Sequence, residues 1–216
     1  MSLVGRRQLI LGVSALALAA CSGGNGGGAA GNGPGPDDMV LGSPNARVTL
    51  IEYASATCPH CAHFHETVWD QLKTNYIDTG KVRFIFREYP TPPEAVAVAG
   101  FQLARCGGAT PEQYFARLGE LFRQQQAMFA SGTMDGVRAK LLEIGASSGL
   151  SEQQVTQCIS DDAGPDRIRR LQDGSRQFNV TGTPTLILNG QKLDDPRAVT
   201  YEGLSQMIDQ ALAAHT

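Results

Sequence analysis

Apolar positions along this chain change period several times, and the changes mark its elements. Val48-Thr49-Leu50-Ile51-Glu52-Tyr53 is a short run rich in β-branched and aromatic residues, which predicts a strand. From Pro59 to about Thr79, Phe64, Val68, Leu72 and Tyr76 recur at fourfold spacing, predicting one helix ended by Asp78-Thr79-Gly80. Val82 to Glu88 again reads as a strand, closed by Tyr89-Pro90. A strand, a helix and a strand in that order predict a crossover between parallel neighbours. Upstream, Met39-Val40-Leu41 reads as a short edge strand followed by the turn residues Gly42-Ser43-Pro44-Asn45.

From Glu94 to about Phe178 the period is helical almost throughout. Ala95 to Cys106 is Ala-rich. A second helix starts at Thr110-Pro111-Glu112-Gln113, with Thr110 as cap, Pro111 in the first position and Gln113 at capping-box spacing. Met134 to Ile144 and Ser151 to Ile159 follow. Pro165 to Phe178 carries Arg167, Arg169, Arg170 and Arg176, read as a solvated basic face. Strand chemistry then returns in Thr185-Leu186-Ile187-Leu188. Asn189-Gly190 predicts a hairpin turn into Gln191-Lys192-Leu193. Tyr201 to Ala214 is an amphipathic helix with Leu204, Ile208 and Leu212 on one face. The fold class is α/β, with β–α–β and β–β–α halves flanking a long helical run.

The first twenty residues follow a different logic. Arg6-Arg7 supplies a positive flank, and Leu9 to Ala20 is apolar but too short to span a bilayer, so 1–20 reads as an export signal. General secretion is the default route, although Arg6-Arg7 also fits a weak twin-arginine signal. Leu18-Ala19-Ala20-Cys21 resembles a bacterial lipobox, which implies lipidation of Cys21. The alternative is an ordinary secretory signal that leaves Cys21 as a stray thiol. Residues 22–38 are rich in Gly, Asn and Pro and read as a flexible leash, with a coil span of roughly 20–25 Å. About 178 residues remain, enough for one well-buried domain. The net charge of −3 gives no footprint for nucleic acid.

Within that frame, Cys58-Pro59-His60-Cys61 carries the candidate chemistry. Two cysteines two residues apart, where a strand gives way to a helix, read as a redox pair. A thiolate at a helix N-terminus faces unpaired N–H groups and the positive end of the helix dipole. Its pKa falls, making an exposed Cys58 the nucleophile and Cys61 the resolving thiol. Pro59 suits the first helical position. His60 adds positive potential beside Cys58, while His63 and His65 read as surface residues. Two thiolates and a histidine would also suit Cu(I) or zinc, but no second cysteine pair completes such a site. With export implying an oxidising compartment, the two cysteines left over, Cys106 and Cys158, are expected to pair; two separate buried thiols are the alternative.

The element order, the Cys58–Cys61 motif after the first central strand and the Gly182-Thr183-Pro184-Thr185 segment resemble the thioredoxin fold with a helical insertion. More narrowly the chain is similar to the DsbA-like thiol-disulfide oxidoreductases, whose oxidising members share the Pro-His pair. The resemblance implies a thioredoxin-like domain at 39–92 and 170–216 with an inserted subdomain at 93–169. It implies that Pro184 is cis beside the cysteines, on a loop that pairs with an extended substrate strand. Thr183 departs from the valine of the strongest oxidases and looks more like the isomerase relatives. Glu52, six residues before Cys58, matches the buried acid that accepts the proton of Cys61. The implied protein is periplasmic, lipid-anchored and monomeric, with no bound cofactor. It would oxidise reduced exported proteins and be reoxidised by a DsbB-like, quinone-linked membrane protein. An isomerase or reductase of the same fold is the runner-up; a non-catalytic binding module or a metal carrier is less well supported.

Overall fold

A computed structural model of the chain describes Met1 and residues 33–214. The predicted signal, Cys21 and most of the leash lie outside the described residues. Among the described residues five strands form one sheet in the order β1-β3-β2-β4-β5: β1 (Met39–Leu41), β2 (Val48–Ala54), β3 (Val82–Glu88), β4 (Thr185–Leu188) and β5 (Gln191–Lys192). Only the β2–β3 pair is parallel, as the crossover required. Asn189 and Gly190 both take positive φ (47° and 84°), the backbone of a two-residue hairpin. Among the described residues no helix is long and apolar enough to cross a membrane.

Alternation along the central strands divides the core between the two faces of the sheet. Leu50 and Ala54 of β2, with Phe84 and Phe86 of β3, face the larger cluster; Ile51, Tyr53 and Ile85 face a smaller one with Phe178 and Val180. Glu52 falls on the larger face by the same alternation. The predicted helix from 59 to 79 is instead broken into α1 (Pro59–Thr67), α2 (Trp69–Leu72) and a π-helical turn, Lys73–Ile77. At the first break the Thr67 hydroxyl donates to the His63 carbonyl at 2.8 Å, a bond that bends helices. Strict fourfold spacing also exceeds 3.6 residues per turn, so in a straight helix the apolar row would rotate by roughly 40° at each step. The break and the wide π turn absorb that drift and keep Phe64, Val68, Leu72 and Tyr76 buried.

Between β3 and β4 lie α3 (Glu94–Arg105), α4 (Pro111–Arg123), α5 (Gln125–Phe129), α6 (Met134–Ser147), α7 (Glu152–Ile159) and α8 (Ala163–Ser175). Thr110 and Ser151 each make a full capping box with the glutamine three residues on. The structure joins Cys106, just beyond α3, to Cys158 of α7, with Cα atoms 5.5 Å apart. The final helix is α9 (Tyr201–Ala213).

Three sequence expectations change here. The leash ends earlier than residue 38: Asp38 pairs with Arg87 at 3.0 Å, Asp37 pairs with Arg170 at 2.7 Å, and the Gly33 carbonyl accepts from Arg87. Acidic residues at the end of the Gly-rich stretch found cationic partners that no local pattern revealed. The basic face of α8 departs from full solvation at one residue, Arg167, whose side chain is 15% exposed, while Arg170 stays 59% exposed. Arg169 and Arg176 keep exposed local partners, whereas Arg167 and Arg170 turn to Glu88 and Asp37. The boundary expected at 169/170 also falls inside α8, which runs on without interruption.

Candidate active site

The site forms where β2 ends. Ser55 and Thr57 turn the chain and are tied to the segment after β3: Thr57 Oγ1 donates to the Thr91 carbonyl at 2.8 Å, and the Thr91 N–H donates to Ser55 Oγ at 3.0 Å. Cys58 then caps α1 in an extended conformation, with Pro59 in the first helical position and the Cys58 carbonyl accepting from the N–H groups of Cys61 and Ala62. Gln125, on α5, donates from its buried amide to the carbonyls of Ala56 and Cys58 at 2.9 and 3.2 Å. Nothing in its local sequence marked Gln125. Its role comes from α5 packing onto the turn, and only three-dimensional proximity reveals it.

Both motif cysteines are free thiols, so the structure shows the dithiol state. Cys58 is more enclosed than expected, at 8% exposure, because the Thr183–Pro184 loop covers it. That peptide bond is cis, and the Cys58 thiol donates to the Thr183 carbonyl at 3.3 Å. Cys61 is fully buried. Pro59 and His60 are exposed.

The two sulfurs differ sharply in acidity. Cys58 is pulled down from 9.0 to about 5, chiefly because the Cys61 thiol donates to its thiolate. The partial burial of Cys58 opposes this, while the Thr183 side chain and the backbone N–H groups of Cys61 and His60 assist. His60 thus contributes through its amide. The Thr183 hydroxyl is buried without a partner while Cys58 is a thiol, and it becomes a donor once the sulfur ionises. The Thr183 carbonyl works the other way by accepting the thiol proton, and the donors outweigh it. Cys61 is raised well above an ordinary thiol, first by burial, then by its bond to Cys58 and by the nearby charge of Glu52. Replacing the hydroxyl in Thr183→Val is expected to raise the Cys58 midpoint by up to about one unit, read from thiolate absorbance against pH. An unmoved midpoint would remove Thr183 from the account.

Glu52 lies fully buried on β2, with Oε2 at 2.9 Å from Nε2 of His65. His65 is therefore an interior residue, contrary to the surface position expected for it. Its place one turn after Cys61 directs it inward beside Phe64, and its ring packs near Trp69 and Phe122 at centroid distances of 5.0 and 4.4 Å. His63 remains exposed. Among the described residues no group of three or more His, Cys, Asp or Glu side chains is arranged to hold a metal ion.

The thioredoxin family model matches residues 35–210. A Rickettsia typhi protein assigned as a protein-disulfide oxidoreductase is 32% identical over 181 residues, covering 83% of this chain and 64% of that relative. The chain thus spans a little under two thirds of that relative's length. Wolbachia pipientis α-DsbA1 superposes with a TM-score of 0.69 at 30% identity, covering 84% of this chain and 94% of that structure. BdbD from Bacillus subtilis shares the fold, with a TM-score of 0.69 at 18% identity over 82% of this chain and 94% of its own. The chain belongs to the thioredoxin family, as one of its DsbA-like members.

Proposed function

We propose that the protein is a thiol-disulfide oxidoreductase that donates a Cys58–Cys61 disulfide to reduced exported proteins. The observation that carries this is the opposite displacement of the two sulfurs, one held as a thiolate and the other as a thiol. A substrate thiolate attacks Cys58 Sγ, the intramolecular S–S bond breaks, and Cys61 Sγ takes the bonding pair and a proton. A second substrate thiolate then attacks the substrate sulfur of the mixed disulfide, and Cys58 leaves as a thiolate. A stabilised leaving thiolate pulls the exchange toward substrate oxidation. The enzyme ends as the dithiol and must be reoxidised by a partner that accepts two electrons, for which a quinone-linked protein of the DsbB type is the proposal. Pro184 and Thr183 form the loop that an extended substrate would meet.

Location belongs to the same proposal: a periplasmic protein, monomeric, with its lipid on Cys21 and a short leash to the domain. The signal-like segment, the Leu18-Ala19-Ala20-Cys21 pattern and the Gly-rich stretch support it.

The deciding measurement is the equilibrium reduction potential of Cys58–Cys61 in glutathione buffers. A value near about −120 mV is expected, the range of strong disulfide donors. A value near about −270 mV would mark a reductase and sink the donor assignment. The isomerase or reductase alternative rests on the likeness of Thr183 to those relatives, where the strongest oxidases carry valine, whereas the Thr183 hydroxyl acts to stabilise the Cys58 thiolate.

A further inference from the structure

A groove of about 1460 Å³ runs along α1 and has no part in the exchange described above. Thr57, Pro59, His65 and Trp69 line one side, with Phe122 and Gln125 across from them. Of the Glu52–His65 pair, His65 is the member that lines the groove. One oxygen of Glu52 is bonded to His65, and the other, Oε1, is buried without any partner. An unpartnered carboxylate oxygen in an apolar interior is costly unless something uses it. Cys61 is the reactive group beside it, close enough to feel the Glu52 charge. Cys61, Glu52, His65 and the groove therefore stand in file from the buried sulfur to solvent.

We propose that His65 is a positioning residue for proton transfer, connecting Glu52, and through it the Cys61 sulfur, to water in the groove. The inference rests on the reading of Cys58–Cys61 as a thiol-disulfide centre. When a thiolate attacks Cys58, its electron pair makes the new S–S bond and the pair of the old bond goes to Cys61 Sγ. That sulfur takes a proton from the Glu52 carboxyl, and Glu52 recovers one from Nε2 of His65. His65 is recharged from the groove. During reoxidation the proton travels outward by the same steps, and no further reactant is needed. The pair can hold its proton on either side of one hydrogen bond at constant total charge, so transfer creates no new buried charge.

Other titratable groups approach from each packed element. His63, Glu66 and Asp70 line the groove from the α1–α2 side, Lys73 and Asp78 from the π turn and its end, and Glu112 and Arg123 from α4. Glu52 makes its hydrogen bond to His65 and to none of these groups. Trp69 and Phe122 flank the imidazole and leave it little freedom to turn away.

The test is single-turnover reduction of the oxidised full chain by dithiothreitol between about pH 5 and 9, followed by acid quench and alkylation. His65→Gln keeps an N–H for Glu52 but carries no exchangeable ring proton. It is expected to react about tenfold more slowly or worse, and to lose the inflexion that the wild-type profile shows beyond the ionisation of the reductant. Glu52→Gln, which preserves a hydrogen bond to His65, is expected to lose the same inflexion and serves if His65→Gln fails to fold. His63→Gln should match wild type. Variants that are slower but keep the wild-type inflexion would show a structural role and overturn the proposal, as would rates within about twofold of wild type. A wild-type pair that does not react with the dithiol at all would instead defeat the thiol-disulfide reading.

Discussion

The dithiol form is expected to become more stable relative to the disulfide form as pH rises from about 5 to about 9. In the folded dithiol protein Cys58 ionises at about 5, against 9.0 for an ordinary thiol. Between those values the folded chain holds one proton fewer than the unfolded chain, so stability rises with pH. The contribution is complete above the unfolded value and lost as pH falls through about 5. At neutral pH it amounts to about 2–3 kcal/mol, allowing for a partly solvated sulfur. Cys61 acts in the opposite sense, because its raised value favours the folded thiol and withdraws stability only at alkaline pH, above an ordinary thiol's range. The disulfide form has neither titration. Paired thermal or denaturant unfolding of the two forms across this range measures the difference. A difference that does not vary with pH would show that Cys58 is not a stabilised thiolate, and the proposed direction of transfer would lose its physical basis.

A comparably large effect is expected far from the sulfurs. Arg87 is fully buried on β3, donating from Nε and Nη2 to Asp38 and from Nη1 to the Tyr53 hydroxyl at 2.9 Å. The Asp38 side chain is 1% exposed. Arg87→Met would leave that carboxylate enclosed without its counter-charge, at a cost of about 3–5 kcal/mol. Replacing both members, as Arg87→Met with Asp38→Leu, is expected to recover much of the loss, since two apolar groups need no pairing. Denaturant midpoints for the two single variants and the double one complete the cycle. If Arg87→Met cost no more than an average surface substitution, the clamp would not be holding the N-terminal segment.

The fold was legible wherever period and turn chemistry coincide. Asn189-Gly190 announced its hairpin, Thr110 and Ser151 announced their helices, and the parallel β2–β3 pair followed from the crossover. The candidate cysteine pair and its placement were legible for the same reason, since two cysteines at a strand-to-helix junction are a local pattern. What escaped was tertiary. His65 looked like one of three histidines on a helix turn, and only the inward alternation of Glu52 on the neighbouring strand makes it an interior partner. Gln125 joins the site through packing of α5 alone. Asp37 and Asp38 resembled the tail of a flexible stretch because their arginine partners lie 49 or more residues away in the chain. The π turn at Lys73–Ile77 is intermediate: the fourfold spacing carried its signal, in that 4 is not 3.6.

The Asp38–Arg87 clamp also fixes a direction. Because β1 runs antiparallel to β3, Met39 stands opposite Phe86 and the chain enters the sheet at the end where β2 and β3 finish. Cys58 follows directly from that same end. About a dozen residues separate Cys21 from the clamped Gly33, a contour of roughly 40 Å. For a lipid carried on Cys21, the domain would be confined to a shell no deeper than one protein diameter, with its reactive end nearest the bilayer. Encounter with a membrane-embedded oxidant would then be a search within a plane at high local concentration, while soluble substrates would still arrive from the open volume beyond.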